Sequence, residues 1–179
     1  MTEPQLLRLD QIDEDTPGIG GKARGLARLL RLGVAVPPAV VLVDAHPDSV
    51  DDALIAQSAE LGELLAVRSS AIGEDGHSAS FAGQYETVLG VTPAAVPQAV
   101  RACLASLSSA RAAAYRARNH SEERVHMAVV IQRMVEPTAA GVLFTADPVS
   151  GRRDHLVLDA VAGLGEALVS GHATPDHHR

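Results

Sequence analysis

Apolar and polar positions along this chain follow two periods, and the change from one to the other falls repeatedly at glycine or proline. LARLLRLG (26–33) sets Leu26, Leu29, Leu30 and Leu32 against Arg28 and Arg31, which predicts an amphipathic helix that starts just after GGK and is stopped by Gly33. VAVPPAVVLV (34–43) carries two prolines into a β-branched run suited to a buried strand. From Asp44 to Gly62 the chain is acidic and reads as a surface connector ending in a short helix around Val50 to Leu61.

LLAVRSSA (64–71) predicts a short strand that delivers Arg68, Ser69 and Ser70 at its end. A polar, glycine-containing loop follows, then a second strand, YETVLGV (85–91), so the pair predicts a hairpin-like flap. Residues 92–119 predict one long helix with Thr92 as N-cap and Pro93 at the first helical position. Three apolar strands are expected at 127–135, 139–148 and 154–163, the last two separated by a turn at PVSGRRD. Helices mixed with meandering strands point to an α+β fold rather than a doubly wound sheet.

Composition narrows the possibilities. The 179 residues suffice for one domain or for two small lobes sharing a core. With two Phe, two Tyr and no Trp, that core must be built from small aliphatic contacts. A net charge of -7 excludes a phosphate-tracking nucleic-acid surface but not a small anionic ligand held by local cations. The lone cysteine, Cys103, excludes an internal disulfide and reads as a small apolar side chain on a helix. No stretch approaches the ~18 apolar residues of a membrane span, and no signal segment opens the chain, so the cytoplasm is the expected location and no membrane partner is expected.

Lys22 is the sole lysine among the 15 Lys and Arg residues, and it stands in GIGGKARG (18–25). An ammonium is a compact, strongly hydrated point charge suited to a phosphate oxygen. Gly20 and Gly21 would expose backbone N–H groups beside a helix start, which favours an anion; the alternative is that they only shape a turn and Lys22 is solvated. A Walker A loop is excluded, because Thr16 replaces its first glycine, Ala23 replaces its hydroxyl, and QIDED is no buried strand. AVRSS and the loop SASFAGQ gather cationic and hydroxyl donors suited to a lid over polyphosphate, or else form an ordinary strand end with a surface arginine. VVIQRMVEP can leave its last backbone groups unpaired for a purine edge, with Glu136 accepting from ribose, although apolar strands with polar ends are common. Thr145, Asp147 and Glu166 can approach Mg²⁺ or serve as turn formers and helix caps. His172, His177 and His178 read as a frayed tail or a metal cluster, and no triad spacing is present.

Taken in order, GGKARGLARLLRLGVAVPP, LAVRSSAIGED, SASFAGQYETVLGV, VVIQRMVEPTAAGVLFTADPVSG and GLGEALVSGHATPD closely resemble the N-terminal ATP-binding domain of the pyruvate phosphate dikinase superfamily, on its phosphoenolpyruvate synthase and rifampicin phosphotransferase side. The resemblance implies an α+β, ATP-grasp-like fold with two small lobes, about 1–126 and 127–179, around a nucleotide cleft. It implies ATP and Mg²⁺ as cofactors, with Lys22 and Arg68 on the phosphates and Gly20, Gly21, Ser69 and Ser70 beside them. Ser80, Gly83 and Gln84 would form the flap, and Gln132, Met134, Val135 and Glu136 would touch adenine and ribose. In this family, phosphate passes from ATP to a histidine on a separate domain. Here the segment between VPP and AVRSS is shorter than the family's, and the sequence stops before the family's remaining ATP-grasp residues and its phosphohistidine domain. The expectation is therefore an ATP-binding domain, inactive alone, that needs a second chain or further domain and is prone to homo-oligomerise. The alternative is a non-catalytic nucleotide-binding or protein-interaction module.

Overall fold

The computed structural model describes residues 5–46, 51–71, 87–106 and 127–179, which fall into two compact units, 1–134 and 135–179. The fold class is α+β. The first unit holds a five-stranded antiparallel sheet in the order β1 (Gln5–Arg8), β2 (Ala39–Val43), β5 (Met127–Arg133), β3 (Leu65–Ala71), β4 (Thr87–Val91). β5 is central, paired with β2 from Ala39↔Gln132 to Leu42↔Val129 and with β3 from Leu65↔Arg133 to Ala71↔Met127. For that reason the division between units falls after Met134 and not before Met127, where the lobe boundary was expected: β5 is the middle of the first sheet, not the start of the second lobe.

Strand alternation places successive side chains on opposite faces, and both faces are covered. Ala39, Val41, Val43, Ala128 and Val130 pack under helix α1 (Gly20–Arg31), which brings Ala23 and Ala27 to the contact. These two alanines, four residues apart on one helix face, let the backbone lie close to the sheet. Val40, Leu42, Leu65, Val67, Val129 and Ile131 face the other way, against Leu54 and Leu61 of α2 (Asp52–Leu61) and Val96, Val100 and Cys103 of α3, of which residues 96–106 are described. The core is aliphatic, and Cys103 is one of its fully buried members, unbridged on a helix.

Several boundaries differ from the pattern-based expectation. α1 starts at Gly20, so GGK is its first turn and not its approach. It ends in a Schellman motif: Gly33, at φ +77°, donates to Leu30 O at 3.0 Å, and Val34 N donates to Leu29 O at 3.0 Å. α2 is no surface connector, because Leu54, Ser58 and Leu61 are buried and Asp51 caps it by accepting from Leu54 N at 2.9 Å. Thr92 makes no side-chain cap; Pro93 opens a 3-10 turn, Pro93–Ala95, that leads into α3. The expected helix beyond 106 lies outside the described residues.

The second unit is an antiparallel sheet in the order β6 (Ala139–Phe144), β7 (Val157–Ala162), β8 (Asp176–His178), with one short helix, α4 (Glu166–Val169). The expected frayed tail is strand β8, held by the backbone ladder from Leu158↔His178 to Ala160↔Asp176 and by His177 Nδ1 at 2.6 Å from Asp159 Oδ1. Because Ile131 is fully buried between two sheet neighbours while Leu32 is 70% exposed, Ile131→Ala is expected to cost about 2–5 kcal/mol in urea unfolding and Leu32→Ala less than about 0.5 kcal/mol.

Candidate functional site

The chain reaches GGK through a tight polar turn. Asp13 N donates to Thr16 Oγ1 at 3.0 Å, and Thr16 Oγ1 donates to Asp13 Oδ1 at 2.8 Å, which holds the Asp13 carboxyl below its usual range. Arg24 of α1 reaches back to Thr16 O at 3.3 Å. Thr16 is therefore a turn residue, consistent with the exclusion of a Walker A loop.

At the end of this approach α1 meets the end of β3. Ser70 Oγ donates to Ile19 O at 2.8 Å and accepts from Ala23 N at 3.2 Å. Ile19 and Ala23 stand at i and i+4 where the helix opens, so the hydroxyl bridges the carbonyl and the N–H of that first turn. Gly20 lies over the same residue at φ +69°, and a Cβ there would stand 2.2 Å from Ser70 O. Only glycine fits, for both the backbone angle and the approach.

This junction brings together two of the segments singled out by sequence. Lys22, half-buried, is in the first turn of α1, and Arg68 lies two residues before Ser70, hence on the same face of β3. Arg68 is half-buried, and its Nε is buried with no hydrogen-bond partner. A buried, unpaired N–H of a guanidinium costs desolvation energy that an anionic acceptor would recover. The set of donors thus fits a phosphate.

Other expected contacts are reassigned by burial. Ser70 is fully buried and both its hydrogen-bonding roles are used inside the protein; Ser69, 1% exposed, points to the opposite face, its Oγ unpartnered. The Ser70 hydroxyl is therefore spent inside the protein, and the Ser69 hydroxyl lies on the face of β3 away from α1. Gly20 serves the approach to Ser70, and Gly21 follows it in the first turn. Ser80, Gly83 and Gln84 lie outside the described residues.

The adenine candidates sit at the other end of β5. Ser70 pairs with Ala128 and Ala66 with Gln132, a separation along the strand of about 14 Å at ~3.4 Å per residue. The strand's last N–H groups are not free as expected, however: Arg133 N donates to Pro38 O and Met134 N to Leu64 O, both at 2.9 Å. Gln132, 5% exposed, spends its amide on Pro37 O at 3.0 Å, and Met134 Sδ accepts from Gly90 N at 3.2 Å. The carbonyls of Pro37 and Pro38 in the proline turn, and of Leu64 before β3, take these donors, which explains the departure. Val135 and Glu136 are exposed residues that open the second unit.

In the second unit Asp147 is 5% exposed and accepts from Val149 N at 2.8 Å and Ser150 N at 3.2 Å, while its own N–H donates to Arg152 O at 2.7 Å. It is the turn former of its two alternatives. Its other oxygen faces His155 Nε2 at 3.6 Å and Arg179 at 3.8 Å. Among the described residues no group of three or more His, Cys, Asp or Glu side chains is placed to hold a metal ion. His172, read with the tail, has its Nδ1 2.9 Å from Ser170 Oγ.

The first unit is thus an α+β sheet that fastens a glycine-opened helix start to the strand carrying an arginine with a buried, unpaired donor. More specifically, residues 41–179 match the pyruvate phosphate dikinase AMP/ATP-binding domain, and the chain belongs to that family. It is 53% identical over 136 residues to a rifampicin phosphotransferase of Streptomyces sviceus, covering 74% of this chain and 16% of that protein. It is 42% identical over 176 residues to the rifampicin phosphotransferase of Bacillus subtilis, covering 94% of this chain and 19% of the relative. A phosphoenolpyruvate synthase of Aeropyrum pernix is 34% identical over 227 residues, covering 96% and 28% respectively. The chain therefore spans less than a third of the length of these relatives.

The backbone N–H bonds of Val149 and Ser150 hold the Asp147 carboxyl well below the usual carboxylate range. Since the native value lies below the unfolded one, near about 3.9, the stabilisation is fully present above that value and is lost as pH falls through it toward the native value. The destabilisation caused by Asp147→Ala, read from urea unfolding, should accordingly be larger at pH 7 than at pH 2.5.

Proposed function

We propose that this chain is the ATP-binding part of a phosphotransferase of the rifampicin phosphotransferase and phosphoenolpyruvate synthase kind, with an ATP-grasp-like arrangement. In this reading ATP supplies the phosphoryl group, and a histidine on a separate domain or chain receives it before the final acceptor. The observation that carries the proposal is the buried, unpaired Nε of Arg68 on the face of β3 that also carries the junction with α1. Family membership supports the choice of ATP over other anions.

Each residue has a distinct task in this reading. Arg68 donates to phosphate oxygens from a fixed strand, and its planar fork suits two oxygens at once. Lys22 adds a flexible point charge from the first turn of α1, where the helix dipole also favours an anion. Cations so placed stabilise charge that develops on the transferred group. The nucleotide would arrive as its Mg²⁺ complex, and the described residues are assigned no step through the metal.

Calorimetric titration with a non-hydrolysable ATP analogue and Mg²⁺ tests the proposal. Lys22→Ala and Arg68→Ala should each weaken binding about tenfold or more, the loss typical of a charge-assisted hydrogen bond. Arg68→Ala should leave the thermal midpoint unchanged or raised, because it removes a buried donor that has no partner in the protein. Unchanged affinity in both variants would reject the site.

A further inference from the structure

We infer that Ser70 is a positioning residue: its buried hydroxyl sets where the first turn of α1, and with it Lys22, stands relative to Arg68. The argument has three parts. First, the hydroxyl is wholly inside the protein, so its two hydrogen bonds, to Ile19 O at 2.8 Å and from Ala23 N at 3.2 Å, cannot be exchanged for water without moving the helix. Second, the contact is specific in geometry. Gly20 crosses Ser70 so closely that an added Cβ would meet the carbonyl carbon at 2.5 Å and Oγ at 2.6 Å, leaving the helix start no slack toward the strand. Third, β3 is paired with β5 along its whole length, Ser70 included, and with β4 as far as Arg68↔Thr87, so the strand is the fixed partner and the helix start is the part that is set by it.

The adjacent serine supplies the control. Ser69 is also buried and also a strand hydroxyl, but its Oγ has no partner and it faces away from α1. The same substitution at these two neighbours therefore separates loss of the junction from any general effect of removing a buried hydroxyl. Removing Ser70 Oγ leaves the Ile19 carbonyl and the Ala23 N–H to find each other or stay unpaired, and either outcome alters the first turn.

Because Lys22 is the sole lysine, amine acylation reads its environment at one side-chain position, identified by mass spectrometry of the full chain. Three measurements on wild type, Ser70→Ala, Ser69→Ala and Gly20→Ala make the test: amide hydrogen exchange over residues 20–24, the acylation rate of Lys22, and affinity for a non-hydrolysable ATP analogue. Ser70→Ala and Gly20→Ala should both speed exchange and change the acylation rate severalfold, and Ser69→Ala should leave both within twofold of wild type. ATP-analogue affinity should fall about tenfold in Ser70→Ala and stay within twofold in Ser69→Ala.

Only the affinity readout rests on the nucleotide reading. If the wild type binds no nucleotide but exchange and acylation change as stated, the reading of the site fails and the positioning role stands. Exchange and acylation unaltered in folded Ser70→Ala would overturn the inference, as would equal changes in Ser69→Ala. Should Ser70→Ala fail to fold, Gly20→Ala decides by the same two readouts.

Discussion

One hydroxyl joins the two halves of the candidate site. Ser70 Oγ, sealed from solvent, bridges the carbonyl and the amide that open α1, and Gly20 has no side chain so that the helix can come down onto the strand. The glycine-rich turn therefore acts through closeness as much as through exposed N–H groups. Lys22 belongs to the helix and Arg68 to the strand, so any common ligand relies on this junction. The buried serine and the missing Cβ are two sides of one packing constraint.

The junction is stiff because of what lies around it. β5 binds β2 and β3 edge to edge, α1 covers one face with alanines, and α2 with α3 covers the other. Nearly every residue of β5 is buried, and such an element has little freedom to shift. At its far end the proline turn takes the N–H of Arg133 and the amide of Gln132, and Leu64 O takes the N–H of Met134. The positions along β5 therefore differ: its middle, at Val130, lies opposite an arginine with an unpaired donor, and its far end is internally satisfied.

Long, strongly patterned elements were legible without the structure. The leucine and arginine spacing of α1 and the β-branched runs of β2 and β5 each declare one period. The α+β class followed from their mixture, and the motif order indicated the family. What stayed hidden depends on distant partners. Gly20 looks like a phosphate-loop glycine until residue 70 is placed above it, and Ser70 looks like a ligand donor until both its bonds are seen to be internal. β1 is only four residues long, with polar ends, and declares itself only by pairing with β2. The acidic stretch before α2 concealed a helix cap, although Asp51 ahead of an apolar run was a usable signal. β8 is polar throughout and is recognisable only through its partner β7.

The central place of β5 also bears on how the chain is made. Its partners β2 and β3 are complete many residues earlier in sequence, yet neither is joined to the other except through β5. During synthesis β2 can pair with β1 and β3 with β4, but each keeps one open edge until residues near 133 have been made. Contacts of such long sequence separation carry a loop-closure cost that slows folding and lengthens exposure to aggregation. The strand that gives the finished sheet its rigidity is also the last of that sheet's five strands to be made.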